Sequence, residues 1–279
     1  MNKGVSMKFK KKAKMMIVLS IILSLLSGCG FGETKIEYER LVKALDEGDM
    51  KTVMSASDEG YAYVKEEVRD STFIEDNNKQ IGVVYQTTQG IYSIKDNILF
   101  GETQKKVNTP VEDEKHSDNP QYKEEFVFKS DIRYENGQLE ASNRGKDMSN
   151  IKLMLNRVQG INELKPNVNK KSFSQPTTIS YNLSETQFKE IFNGNLELKY
   201  EKFSYATLLI EFNSAKDTKE NPMKITEITI SIGYKQRNEE NNMIRHDEEI
   251  TTYLRNKEEN NRKSKKDYLQ YEKKFKESH

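Results

Sequence analysis

The side chain with the most distinctive chemistry is the thiol of Cys29, the only cysteine among 279 residues. A lone cysteine closes no internal disulfide, which leaves its thiol free to accept a covalent group. Leu26, Ser27 and Gly28 stand directly before it. Small residues at such a junction let an extended backbone enter a peptidase cleft. Elsewhere the reactive side chains do not converge. His116, His246 and His279 fall in a loop, near a sheet edge and at the terminus, without metal-ligand spacing such as i and i+4 on a helix. They are expected to be solvated surface histidines. Glu112-Asp113-Glu114 and Asp247-Glu248-Glu249 lack the alternating order and the glycine of a calcium loop, and read as solvated charge. There is no glycine-rich phosphate loop and no Gly-x-Ser-x-Gly elbow. The sequence therefore predicts no catalytic residue, no metal ligand and no cofactor.

What places Cys29 is the stretch before it. Lys3, Lys8, Lys10, Lys11, Lys12 and Lys14 precede a run from Met15 to Leu26 that is apolar apart from two serines, and no acidic residue occurs before Cys29. A basic flank, a short apolar run and small residues are the layout of a secretory signal, and this run is too short to be a comfortable permanent span. The basic flank stays in the cytoplasm, so the rest of the chain is expected outside it.

Together these residues resemble a known class. Leu26-Ser27-Gly28-Cys29 is similar to the lipobox of bacterial lipoproteins. The resemblance implies processing by prolipoprotein-modifying enzymes: an S-diacylglyceryl group on Cys29, then cleavage before it. The mature chain would be anchored in the cell membrane, facing outside the cytoplasm. One acyl chain holds a protein only marginally whereas two hold it firmly, and a diacylglyceryl group supplies two.

Loss of residues 1–28 removes six lysines and no acid, leaving 39 basic against 44 acidic side chains. That small negative balance gives no reason to expect nucleic acid as a partner. The absence of disulfides and the wealth of Lys, Asn and Glu resemble exported chains of low-GC Gram-positive bacteria.

Behind a tether over 29–35, residues 36–254 read as one α+β domain. From Ile36 to about Val68 apolar residues recur at threes and fours, which predicts amphipathic helix broken at Gly48-Asp49, with Asp49 an N-cap. From Ile81 the period becomes two. Val83-Tyr85-Thr87, Ile91 to Ile94, Ile98 to Phe100, Phe126 to Phe128 and Ile132 to Tyr134 predict strands, with turns at Lys95-Asp96-Asn97 and Asn136-Gly137. Met148 to about Leu164 predicts a helix. Thr178 to Leu183 predicts a strand, and Ser184-Glu185-Thr186-Gln187 carries a capping-box pattern ahead of a further helix. Leu196-Leu198-Tyr200, Tyr205 to Phe212 and Ile225 to Tyr234 follow as strands, and Met243-Ile244 with Ile250 to Tyr253 suits an edge strand. Residues 255–279 read as a charged helix or a disordered tail.

The expected fold is α+β, with helices packed on one face of a curved antiparallel sheet. Its element order resembles the half-barrel of lipoprotein-carrier proteins. That resemblance implies an acyl-chain cavity between sheet and helices. The expected function is non-catalytic binding at the cell membrane, with an apolar or lipid ligand. The alternative is an accessory lipoprotein whose partner is a membrane or cell-wall complex.

Overall fold

The computed structural model describes residues 36–54, 59–111, 121–142, 153, 158, 160–168, 177–254 and 265–278. Leu26, Ser27, Gly28 and Cys29, the expected signal and tether over 1–35, His116, His279 and Glu112-Asp113-Glu114 lie outside the described residues.

The chain enters through a short helical pair, α1 (Glu39–Asp46) and α2 (Met50–Val53). Asp49 accepts a bond from the Thr52 amide at 3.2 Å and so caps α2. A long meander follows: β1 (Tyr61–Ile74), β2 (Lys79–Ser93), β3 (Ile98–Pro110), β4 (Tyr122–Glu135) and β5 (Gln138–Ala141). The β2–β3 turn places Asn97 at φ 56°, and the β4–β5 turn places Asn136 and Gly137 at φ 52° and 78°. Two successive left-handed residues suit a two-residue hairpin, because their twist matches that of the strands. The second half runs β6 (Asn167–Val168), β7 (Thr177–Leu183), α3 (Glu185–Phe188), a π-turn over Lys189–Asn193, α4 (Gly194–Leu196), β8 (Lys202–Phe212), β9 (Ile225–Arg237) and β10 (Met243–Tyr253). Ser184 and Gln187 form the full capping box at the head of α3. Last comes α5 (Lys265–Ser278).

All ten strands belong to one antiparallel sheet in the order β5-β4-β3-β2-β1-β10-β9-β8-β7-β6. The fold is thus a β-rich α+β with few helical residues, and the sheet ends at β5 and β6 without closing into a barrel. Two meanders are joined where β1 meets β10. The expected edge strand at Met243 to Tyr253 is therefore central. Its charged side chains point to an edge, but its ten-residue register with β1, from Lys65↔Tyr253 to Ile74↔Ile244, seals the sheet.

Two other expectations change. The helix predicted to continue to Val68 stops at Val53, and Tyr61 to Val68 is strand. Tyr61, Val64 and Val68 are spaced as on a helix, but Ala62, Val64 and Glu66 also alternate. Pairing with both β2 and β10 selects that second period. Leu196-Leu198-Tyr200 is α4 followed by irregular backbone rather than strand, because Asn193 bonds to the Leu198 amide and carbonyl and folds the segment back. The helix expected over Met148 to Leu164 lies largely outside the described residues; a 3-10 turn occupies Ile161–Glu163.

The two faces of the sheet carry separate cores. On one, Ala62, Val64, Tyr92, Leu99, Ile132, Ile228, Ile230 and Ile232 pack with Leu41, Leu45 and Val53 of α1 and α2 and with Phe188 of α3. On the other, Tyr61, Tyr63, Ile91, Ile98 and Phe100 pack with Tyr268, Tyr271 and Phe275 of α5. Strand alternation explains the division, since neighbours such as Ile91 and Tyr92 point opposite ways. Helices expected on one face accordingly occupy both. Tyr268 and Phe275 are seven residues apart, two helical turns, so one stripe of an otherwise charged helix reaches the sheet.

At Gly90 and Gly101, paired across β2 and β3, the strands approach so closely that a side chain on either would collide with the backbone of the other.

Candidate functional site

Helix α5 covers the end of its face around Tyr61, Ile91 and Phe100 and leaves the rest open, the centre included. There the register lines up Ser71 of β1, Asp247 of β10, Gly233 of β9 and Tyr205 of β8 in one row across the strands. The next row places Arg69, Glu249 and Ser231 side by side. Ser71, Ser231 and Gly233 are short, so the sheet surface sinks between their larger neighbours. The result is a depression of about 280 Å³ lined by Arg69, Ser71, Phe73, Tyr205, Ser231, Asp247 and Glu249, with Glu248, between the last two, also bordering it.

Each wall has its own support. The Tyr205 ring lies over Gly233, where a side chain would leave it no room. At 44% exposure the ring still presents a broad aromatic surface. Burial raises its phenol pKa above the ordinary range, and the charge of Asp247 adds to the effect. Opposite, the Arg245 guanidinium sits 4.3 Å from the centroid of the Phe73 ring and also bonds Asp247 at 3.2 Å and Asn78 at 2.8 Å. Arg245 is therefore a structural brace. Arg69 and Glu249 are different: both are exposed, and among the described residues neither has a hydrogen bond or ion pair. The depression thus offers one uncommitted cation, one uncommitted carboxylate, three hydroxyls and two aromatic rings.

Behind it, on the core face, the same strands hold a polar cluster. His246 bonds Asp70 at 3.0 Å and Gln236 at 3.0 Å, and stacks parallel on Tyr234 with centroids 4.7 Å apart. The Tyr234 hydroxyl bonds Glu248 at 3.4 Å, and Glu248 stands directly opposite Asp70 in the register. Burial pushes the Glu248 carboxyl up to about 7 and Asp70 reinforces the shift, while His246 and Tyr234 oppose it. The cluster is held by its own bonds rather than aimed into open space. Further along the core face, Glu66 is buried and accepts from Thr252 at 2.9 Å, and Thr88 bonds Thr103 at 2.9 Å.

These positions revise the sequence reading. His246, expected as a solvated histidine near an edge, is 8% exposed on a central strand. Asp247-Glu248-Glu249 is not one patch of solvated charge. Strand alternation sends Glu248 to the core face, and Asp247 and Glu249 to the depression. The signal that could have found them was the alternation of Ile244, His246, Glu248 and Ile250, which places two polar residues in an apolar row. The depression itself had no linear signal, since it draws on β1, β8, β9 and β10. Among the described residues no group of three or more His, Cys, Asp or Glu could hold a metal ion.

A family model, the domain of unknown function DUF3952, matches residues 24–126. That span runs from the apolar segment through β1, β2 and β3 into β4, so the likeness takes in Arg69, Ser71 and Phe73 but not Tyr205, Asp247 or Glu249. No curated protein matches the chain.

Proposed function

We propose that the chain is a lipid-anchored binding protein of the cell membrane, facing outside the cytoplasm and without a catalytic role. The observation that carries this reading is the basic flank and short apolar run closing on Leu26-Ser27-Gly28-Cys29. The diacylglyceryl group on Cys29 holds the protein, and the sheet is presented to the cell envelope.

Within that reading two ligand classes compete. A carrier of the half-barrel type keeps an apolar cavity between sheet and helices, and Ile228, Ile230 and Ile232 would line it. They are 1%, 0% and 0% exposed and packed in the core with other buried side chains. The depression on the opposite face is open and polar. This contrast favours a ligand or partner met at the outer surface over an acyl chain held inside, and so favours the cell-envelope accessory reading.

The anchor is tested by feeding cells labelled palmitate. Wild type incorporates the label and sediments with membranes; Cys29→Ala does neither. Labelling that persists in Cys29→Ala refutes the assignment. An acyl lipid that co-purifies with the detergent-extracted protein in native mass spectrometry, beyond the one on Cys29, restores the carrier reading.

A further inference from the structure

The lining of the depression selects among ligand classes. A free anion would meet Arg69 but also Asp247 and Glu249, and a free cation would meet the reverse conflict. An apolar chain would strip the water from Arg69 and Glu249 and leave them only each other, a pairing that rarely repays the cost of desolvation. A neutral polyhydroxylated ring has none of these faults. Each of its hydroxyls both donates and accepts, so neighbouring hydroxyls can accept from the Arg69 guanidinium while donating to the Glu249 carboxylate. Its apolar C–H face can lie on the Tyr205 ring, which is exposed and held in place over Gly233. Ser71 and Ser231, being short, leave depth for the ring and add two hydroxyls to the floor.

The site does not stop at Arg69. In the register, Arg69 faces Tyr85, Tyr85 faces Lys106, and Lys106 faces Phe126. Tyr85 is 38% and Phe126 54% exposed, so charged and aromatic side chains alternate along an open row. Strands lie about 4.8 Å apart, and the row from Glu249 to Phe126 crosses four intervals, roughly 19 Å. A row of that length, with the same two kinds of group repeated, suits an extended chain of like units better than one free sugar.

We propose that the depression, continued by Tyr85 and Phe126, is a binding site for a linear, uncharged polysaccharide of the cell envelope. This rests on the extracytoplasmic placement proposed above, since that is where the chain would meet such a polymer. The Arg69 guanidinium and Glu249 carboxylate bridge adjacent hydroxyls, Tyr205 supports one ring, and Tyr85 and Phe126 support later ones.

The test is isothermal titration of the full chain in detergent with two neutral probes, a hexamer of β-1,4-linked N-acetylglucosamine and cellohexaose. Teichoic acid and anionic vesicles serve as charged comparisons. At least one neutral probe binds, with weak salt dependence, and Arg69→Ala and Tyr205→Ala each weaken it about tenfold or more. Arg69 is exposed and has no bond among the described residues, so Arg69→Ala keeps the parent melting curve and guards against a folding artefact. Tyr85→Ala weakens the hexamer more than the corresponding dimer. The proposal is overturned if neither neutral probe binds, if binding survives both Arg69→Ala and Tyr205→Ala, or if only the charged partners bind. Lipid labelling and titration fail separately: a labelled chain that ignores both sugars keeps its address and loses this ligand, and an unlabelled chain that binds them does the reverse.

Discussion

The ring of Tyr205 on β8 lies against Gly233 on β9, occupying the space that a side chain at Gly233 would fill. Glycine weakens a strand, and an aromatic ring from the neighbouring strand covers the exposed backbone in its place. Gly233→Ala should therefore expel the ring and destabilise the domain by about 1–3 kcal/mol, the usual cost of overpacking. Adding Tyr205→Ala removes the obstacle, so the double variant should be more stable than the sum of the single changes predicts. Thermal unfolding of the three variants checks this. Strict additivity would mean that the two residues do not share that space.

Glu248 gives the domain a pH dependence with a definite sign. Its carboxyl is raised to about 7 by burial beside Asp70, whereas the unfolded chain titrates it near the ordinary 4.5. Between these values the folded state holds a proton that the unfolded state has released. Stability from this group is complete below about 4.5 and declines as pH rises to about 7. Glu248→Gln keeps the side-chain shape without the charge. It should match wild type at pH 4 and exceed it at pH 8 by on the order of 2 kcal/mol. Denaturant unfolding across that range decides; a Gln variant less stable at pH 8 would show that the Glu248 charge is favourable.

Aromatic rings anchor α5 to the sheet. Tyr268 lies 5.1 Å from Tyr61 and 5.3 Å from Phe100, and Phe275 lies 5.7 Å from Phe100, between ring centroids. Burying one such ring contributes about 1.5–3 kcal/mol. Phe275→Ala should release α5 as a unit while the sheet, held by its own larger core, stays folded. Hydrogen exchange should then rise over 265–278 and beneath it in Ile91 and Phe100, with little change in β8 and β9. Uniformly faster exchange would mean that α5 is part of the main cooperative unit.

Tyr181 on β7 carries a hydroxyl that is buried and, among the described residues, finds no hydrogen-bond partner. Burial also holds its phenol well above the ordinary range. A buried polar group without a partner costs roughly 1–3 kcal/mol, so Tyr181→Phe should stabilise the domain by about 1 kcal/mol. A shift of the denaturation midpoint upward, with the slope unchanged, is the expected result. A downward shift would reveal a bond to this hydroxyl.

Local geometry was legible in the sequence. Asn136-Gly137 and Asn97 announced their turns, Ser184 and Gln187 their capping box, and Asp49 its cap. These devices act within three or four residues, where sequence neighbours are also spatial neighbours. The alternation of Ile228, Ile230 and Ile232 announced a core-facing strand for the same reason. Tyr61 to Val68 was misread because a short apolar run fits both periods, and only its two partner strands select one. The role of β10 was hidden because its neighbour β1 lies more than 170 residues earlier.

The sequence alone thus determined the place of the single cysteine behind a short apolar run, the turns, the caps and most strands, since each depends on residues within a few positions of one another. Tertiary structure decided which strand lies at the centre, which face receives α5, and that His246 and Glu248 turn inward while Asp247 and Glu249 turn out. It also created the depression under Tyr205. Those outcomes depend on register, and register is fixed by burying one face of every strand at once.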